Sequence, residues 1–378
     1  MKIVIGADIV PTPSNYDLFI KGDVDELIGQ ELVELLKLAD YTILNLETPL
    51  TNRKKEIKKC GPCLMAPVET INGISKINSC FFTLANNHIM DQQFEGLQDT
   101  IKCLEQSGIS YSGVGKDLEN AQKPFEVVIK GIRLGIYCCA EHEFSIATET
   151  MPGACPYDPL ISFDVVQELR QRCDIVIVLY HGGKEHYRYP SPMLQKVFRK
   201  FSSSGADYVI AQHTHCIGCI EQYGGSYLVY GQGNFLFDDG EEEDLQTAIL
   251  LSITVDEINK THSLNIIPIC RRNNTVRKAD AEKTLEVFST LTVRNKQIKN
   301  QGFIEEKYAD FADQMLDIYL SKLNGNRSKS LLYRVINRIL CKRVLHRNYS
   351  YDCLLEICNS IECEAHRELL LQALHNKE

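Results

Sequence analysis

Three short segments concentrate the residue types that bind and activate: Asn86-Asn87-His88 with Asp91 just beyond, His181-Gly182-Gly183, and Gln212-His213-Thr214-His215. Asp8 and Glu47 add carboxylates near the ends of two apolar runs, Ile3-Val4-Ile5 and Ile43-Leu44-Asn45-Leu46. Imidazole, amide and carboxylate donors in one protein are the ingredients of a two-metal hydrolytic centre, in which cations polarise a phosphoester or amide and generate a nucleophile from water.

His213 and His215 flank Thr214, so an extended segment would project both rings to one side. Paired imidazoles are costly as cations and natural as metal ligands. His181 follows the uninterrupted run Ile175-Val176-Ile177-Val178-Leu179-Tyr180 and supplies a third ring, while Gly182 and Gly183 allow backbone N–H groups to approach an anion. Glu185 and His186 stand beside them, either binding substrate and exchanging protons or filling structural roles. Asn87 offers a neutral oxygen, His88 can hold a proton, and Asp91 is spaced to fix that ring's tautomer and raise its basicity. Simpler readings compete: Asp8 as the cap of a turn before Pro11, Glu47 as the ion-pair partner of a Lys or Arg. Gly231-Gln232-Gly233-Asn234-Phe235 suits a tight turn beneath the histidine loops, with Asn234 bonding that turn or the substrate, or else a plain β-turn. It lacks the Lys-Ser/Thr pair of a phosphate loop.

The elements that must position these groups read as an α/β pattern. Strands are expected at 2–9, 41–46, 81–84, 174–180 and 207–210, with helices at 26–38, 67–77, 94–106, 163–170 and 192–204 between them. Strand-helix-strand units imply parallel pairing, and the candidate ligands recur at carboxyl ends of strands, where open α/β sheets bind ligands. Lys130-Gly131 marks a hairpin joining 127–129 to 134–138, hence a second sheet or an antiparallel edge, and 227–230 and 248–255 have the same β-rich character. The charged segment 52–66 is expected as a loop at the site mouth. From 278 the pattern turns helical, at 279–292, 305–320, 329–345 and 350–377, so a domain over 1–270 and a helical extension over 278–378 are expected. The basic stretch with Arg334, Arg338, Lys342 and Arg343 is a solvated face or a contact for an acidic lipid or protein partner.

The 378 residues, 44% hydrophobic, suffice for one large α/β domain and an appendage. A net charge of -9, with no long basic tract before the tail, argues against nucleic acid as the main partner while leaving room for a local cationic pocket. The start MKIVIGADIV has no secretory h-region, and no run of about 18 apolar residues occurs, so a cytoplasmic chain without a spanning helix is expected. The 15 cysteines form no compact disulfide framework and read as reduced thiols. Cys60-Gly61-Pro62-Cys63 and Cys216-Ile217-Gly218-Cys219 also have the spacing of two halves of a zinc site.

Asn45-Leu46-Glu47-Thr48-Pro49, Leu84 to Asp91, Leu179 to Glu185, Gly205 to His215 and Tyr230 to Phe235 together resemble, in order, the motifs of the bacterial capsule synthesis CapA or poly-gamma-glutamate synthesis family, over about residues 1–255. That family is similar to the calcineurin-like metallophosphoesterases. The resemblance implies a four-layer α/β/β/α sandwich with two divalent ions (Mn, Fe, Zn or Mg) at the strand ends. Carried over by motif, Asp8 and His215 hold one ion, Glu47 bridges, Asn87, His181 and His213 hold the other, and His88 is the general acid. Where the wider superfamily has a histidine two residues after the first aspartate this chain has Val10, and Glu47 replaces an aspartate, leaving the first ion fewer ligands. The implied activity is hydrolysis of a phosphoester or gamma-glutamyl amide in an anionic small molecule or a polyglutamate- or polysaccharide-related substrate. The alternative is a non-catalytic, metal-stabilised scaffold that meets a protein partner through its C-terminal helices.

Overall fold

Alternate residues of the first strand enter different cores, which fixes the layering. In β1 (Lys2–Val10), Ile3 and Ile5 face one apolar cluster and Val4 another, and every residue from Ile3 to Val10 is buried. A strand apolar on both faces must be covered on both. The computed structural model describes residues 1–238, 246–325, 345 and 348–376.

β1 lies in an eight-stranded sheet with β2 (Tyr41–Leu46), β3 (Phe81–Thr83), β4 (Ser110–Ser112), β13 (Leu236–Phe237), β14 (Thr247–Val255), β15 (His262–Arg272) and β16 (Thr275–Lys278). Its main path runs β16-β15-β14-β1-β2-β3-β4, parallel from β1 to β4 and antiparallel from β1 through β14 to β16. A second sheet of six strands comprises β6 (Phe125–Ile129), β7 (Ile132–Ala140), β9 (Ile175–His181), β10 (Tyr208–Gln212), β11 (Ile220–Tyr223) and β12 (Ser226–Val229), in the order β11-β12-β10-β9-β7-β6. The hairpin expected at Lys130-Gly131 is the antiparallel β6–β7 pair at the edge of this second sheet. A small ladder joins β5 (Val114–Gly115) to β8 (Gly153–Ala154).

Ile3, Ile5, Ile43 and Phe81 of the first sheet pack against Ile136, Ile177, Leu179 and Ile210 of the second. Leu32, Leu36 and Leu97 cover the outer face of the first sheet, and Val166, Phe198 and Phe201 that of the second. The result is the expected α/β/β/α sandwich. Helix 26–38 is in fact two helices, Val24–Ile28 and Gln30–Lys37, because Gly29 takes φ +77° and breaks the path. The segment 67–77 is likewise a 3₁₀ turn, Val68–Thr70, followed by the helix Ile71–Lys76.

The chain forms two compact units, Met1–Glu305 and Glu306–Glu378. Helix Ala281–Gln297 follows the last strand yet belongs to the first unit, burying Val287 and Leu291 in the core between the sheets. The described part of the second unit is helical and includes Tyr351–Glu362 and Glu364–His375. The basic stretch 334–343 lies outside the described residues, and no described helix is long and apolar enough to cross a membrane.

The inter-sheet core sets a test of this layering. Ile177→Ala, at a fully buried site, is expected to cost about 2–5 kcal/mol in urea unfolding. Val128→Ala, on the same sheet at a side chain 67% exposed, should change stability by less than about 0.5 kcal/mol.

Candidate metal centre

A bulge opens the site. The β1–β2 register shifts between Ile5 and Asp8, and Gly6 sits in the shifted stretch with no room for a side chain, since a Cβ there would lie 2.5 Å from Leu44 Cδ2. Gln212 of the second sheet donates to Gly6 O (3.4 Å), and Gln232 donates to Ile5 O (3.1 Å) and Ile249 O (3.2 Å). The two sheets are thereby stitched where β1, β2, β9 and β10 end, and the candidate ligands project there.

Asp8 and Glu47 are buried. Asp8 Oδ1 accepts from Asn45 Nδ2 at 2.7 Å and Oδ2 from the His213 backbone N–H at 3.3 Å. Glu47 Oε1 lies 3.3 Å from His181 Nε2, which is also 3.0 Å from Asn87 Oδ1. The other nitrogen of His181 is 3.3 Å from Asn45 Nδ2. Ligand atoms of Glu47, His213 and His215 all fall within 4.8 Å of one another, and the His181 and His213 ring centroids are 4.8 Å apart. Asp8, Glu47, Asn87, His181, His213 and His215 therefore converge.

The histidine turn achieves this differently from the extended segment expected. β10 ends at Gln212, and His213 and His215 both adopt positive φ, +85° and +57°. Non-glycine residues held there carry strain that the surroundings must impose. The constraint is the close pass of Gly231 beneath, where a Cβ would meet Thr214 Oγ1 at 2.5 Å and Cys216 O at 2.8 Å. The glycine turn thus does lie under the histidine loop.

Burial holds the rings neutral. Desolvation brings the His181 pKa down to about 3, against an opposing pull from Asp8, and His88 and His215 push the same way as burial. His213 is likewise held well below the usual imidazole range by burial, then by His181 and His215. Neutral imidazoles beside buried carboxylates suit a cation, because a buried carboxylate is costly unless a cation or hydrogen bonds compensate it. His213 Nδ1 is buried and has no hydrogen-bond partner among the described residues, so the donor set fits divalent ions with mixed N and O preference.

Three residues expected at the substrate have partners within the protein. The N–H of Gly182 donates to Gln212 O at 3.1 Å and that of Gly183 to the Glu141 carboxylate. Asn234 Oδ1 is bonded to His215 Nδ1 at 2.9 Å, which orients that ring. Glu185 stands at the rim, with Oε1 4.0 Å from His213 Nε2, and the exposed His186 has its ring 5.9 Å from that of His215. His88 Nδ1 meets Asp91 Oδ2 at 2.6 Å, the pairing their spacing suggests.

Asn45, Asn86, Lys59 and Glu143 stand beside the candidate ligands, and the sequence reading assigned none of them a role. Asn45 links Asp8 to His181, Asn86 donates to Asn45 Oδ1 (3.1 Å), and Glu143 accepts from Asn87 Nδ2 (3.0 Å), orienting its oxygen toward His181. A lone amide inside Ile43-Leu44-Asn45-Leu46 was the available signal for Asn45. The CxxC pairs do not form a site. No disulfide joins the described cysteines, Cys63 Sγ donates to Ile57 O (3.5 Å), and Cys219 Sγ donates to Arg188 O (3.2 Å).

With this geometry in view, the family likeness is direct. The pattern of the family described as "Bacterial capsule synthesis protein PGA_cap" matches residues 2–239. This chain belongs to that family. It is 29% identical over 233 residues to the PGA biosynthesis protein CapA of Bacillus subtilis, covering 59% of this chain and 60% of that one. To the capsule biosynthesis protein CapA of Bacillus anthracis it is 27% identical over 243 residues, covering 62% and 59%. The chain thus spans about three fifths of the length of these relatives. Among solved structures it is similar to a phosphatase from Mycoplasma pneumoniae, with TM-score 0.46, 16% identity and coverage of 77% of this chain and 98% of that one.

Two outcomes follow from the site. Asn234→Ala should weaken metal binding about 10–100-fold by calorimetry, because His215 loses its orienting partner. Metal-free protein should lose stability as pH falls below about 6.5, since an unfolded histidine takes up a proton there and the buried ring does not. Down to a His181 pKa of about 3, that ring contributes a loss of about 1.4 kcal/mol per pH unit, and His181→Gln should flatten the slope in urea titrations.

Proposed function

We propose that the chain is a hydrolase dependent on two divalent ions, acting on a phosphoester or gamma-glutamyl amide of an anionic substrate in capsule or poly-gamma-glutamate synthesis. One observation carries this reading: carboxylates from the ends of β1 and β2 meet imidazoles from the ends of β9 and β10, with ligand atoms of Glu47, His213 and His215 within 4.8 Å. Asp8 and His215 would hold one ion, Asn87, His181 and His213 the other, and Glu47 would lie between. When bound, such ions supply Lewis acidity toward the scissile group and make water nucleophilic at neutral pH.

The remaining steps fall to the chain's own side chains. His88, its Nδ1–H bonded to Asp91, takes a proton onto Nε2 and passes that proton to the leaving group. Asn45 and Asn234 keep the rings of His181 and His215 in place, and Glu143 does so for Asn87. The segment 52–66 covers His88 and Asp91, bringing cations to the site mouth where an anionic substrate would enter. A partner protein would meet the helices at 351–375, where Leu355, Ile361, Leu369 and Leu374 are exposed.

A scaffold reading has one supporting observation, the apolar Val10 where the wider superfamily has a histidine, and one experiment separates the two. Purified protein is loaded with Mn²⁺ and offered phosphomonoester, phosphodiester and gamma-glutamyl substrates. Turnover that chelation abolishes is expected, with His88→Ala lowering kcat about 10²–10⁴-fold at unchanged metal content. His181→Ala and His213→Ala should instead lower the metal content itself. Full metal content with no turnover on any substrate class would replace the hydrolase by the scaffold.

A further inference from the structure

Lys59 is the point at which an exposed basic loop turns inward. Arg53, Lys54 and Lys55 expose 60%, 74% and 49% of their side chains, whereas Lys59 exposes 3%. Its ammonium forms an ion pair with Asp91 Oδ1 and lies 3.2 Å from His88 Nδ1. The other oxygen of Asp91 accepts from His88 Nδ1 and from the Leu64 N–H, each at 2.6 Å. Asp91 O accepts from the Ile57 N–H at 3.0 Å. Gln92 adds two more ties, accepting from the Lys55 N–H at 2.8 Å and donating to Leu64 O at 3.2 Å. Both arms of the loop are therefore fastened to the same pair of residues.

His88 Nδ1 cannot donate to Asp91 and accept from Lys59 at once. The shorter contact, to a carboxylate, takes the proton, and the lysine donates to the opposite oxygen. The Asp91 side chain is wholly buried, so it needs the cation, and a long lysine side chain gives up its rotamer freedom only for such a partner. The loop, the carboxylate and the imidazole are thus one assembly with Lys59 at its centre.

We propose that Lys59 is a positioning residue: its ion pair with Asp91 straps loop 52–66 over the site and, through Asp91, locks His88 as the Nδ1–H tautomer with Nε2 left for the reaction. The consequence for turnover rests on the hydrolase reading, but the strap itself does not. Its primary tests need no activity.

Full-length protein is followed by amide hydrogen exchange and by long-range ¹⁵N spectra of the His88 ring. In the wild type the ring should carry its proton on Nδ1, and a proton on Nε2 alone would overturn the proposal without any variant. Lys59→Gln should speed exchange at Ile57 and Leu64 at least about tenfold and move the His88 ring signals, with Val178 in β9 unchanged. Lys59→Arg, which keeps the charge, should hold exchange within about threefold of wild type. Equal protection in the Gln and Arg variants, or an unmoved His88 ring in Lys59→Gln, would show that the charge straps nothing. If a substrate is found, Lys59→Gln should lower kcat with KM within about twofold, and a change confined to KM would count against positioning.

Discussion

Desolvation at the seam between two sheets governs this protein. Carboxylates and imidazoles are driven into one buried cluster by strands whose apolar residues leave them no alternative path, and each group is then costly unless its neighbours compensate it. Burial keeps His181 and His213 neutral, which turns rings that would repel as cations into electron-pair donors. The layering, the bulge in β1 and the glycine turn at 231–233 all serve that arrangement.

The cluster is held mainly by amides. Asn45 touches both Asp8 and His181, Asn86 supports Asn45, Asn87 meets His181, and Asn234 fixes His215. An amide orients a ring without adding charge, so it leaves the electrostatics to the carboxylates and to any cation they hold. The positive φ angles of His213 and His215 are a local cost accepted so that both rings face the same space. Strain of this kind persists only where packing over-determines it, as Gly231 does from below.

Much of the fold was legible because the strands near the site are continuous apolar runs, Ile175 to Tyr180 above all, and because such runs ended on polar residues. Strand-end placement singles out Asp8, Glu47, His181, His213 and His215, and all of them gather. What periodicity could not convey was direction within turns. The backbone N–H groups of Gly182 and Gly183 are engaged inside the protein, and the histidine segment reaches the site by left-handed backbone rather than by an extended strand. Lys59 gave no signal either, since one lysine in a lysine-rich loop looks like its solvated neighbours until tertiary contacts distinguish it. Helix 26–38 shows the same limit, because an apolar spacing continues across Gly29 while the backbone does not.

Anomalous diffraction from crystals grown with Mn²⁺ tests the central claim most directly. Two peaks about 3.5–4 Å apart should appear, one near Asp8 and His215 and the other among Asn87, His181 and His213, with Glu47 reaching both. Peaks elsewhere on the surface, or no peak within reach of the three imidazoles, would contradict it.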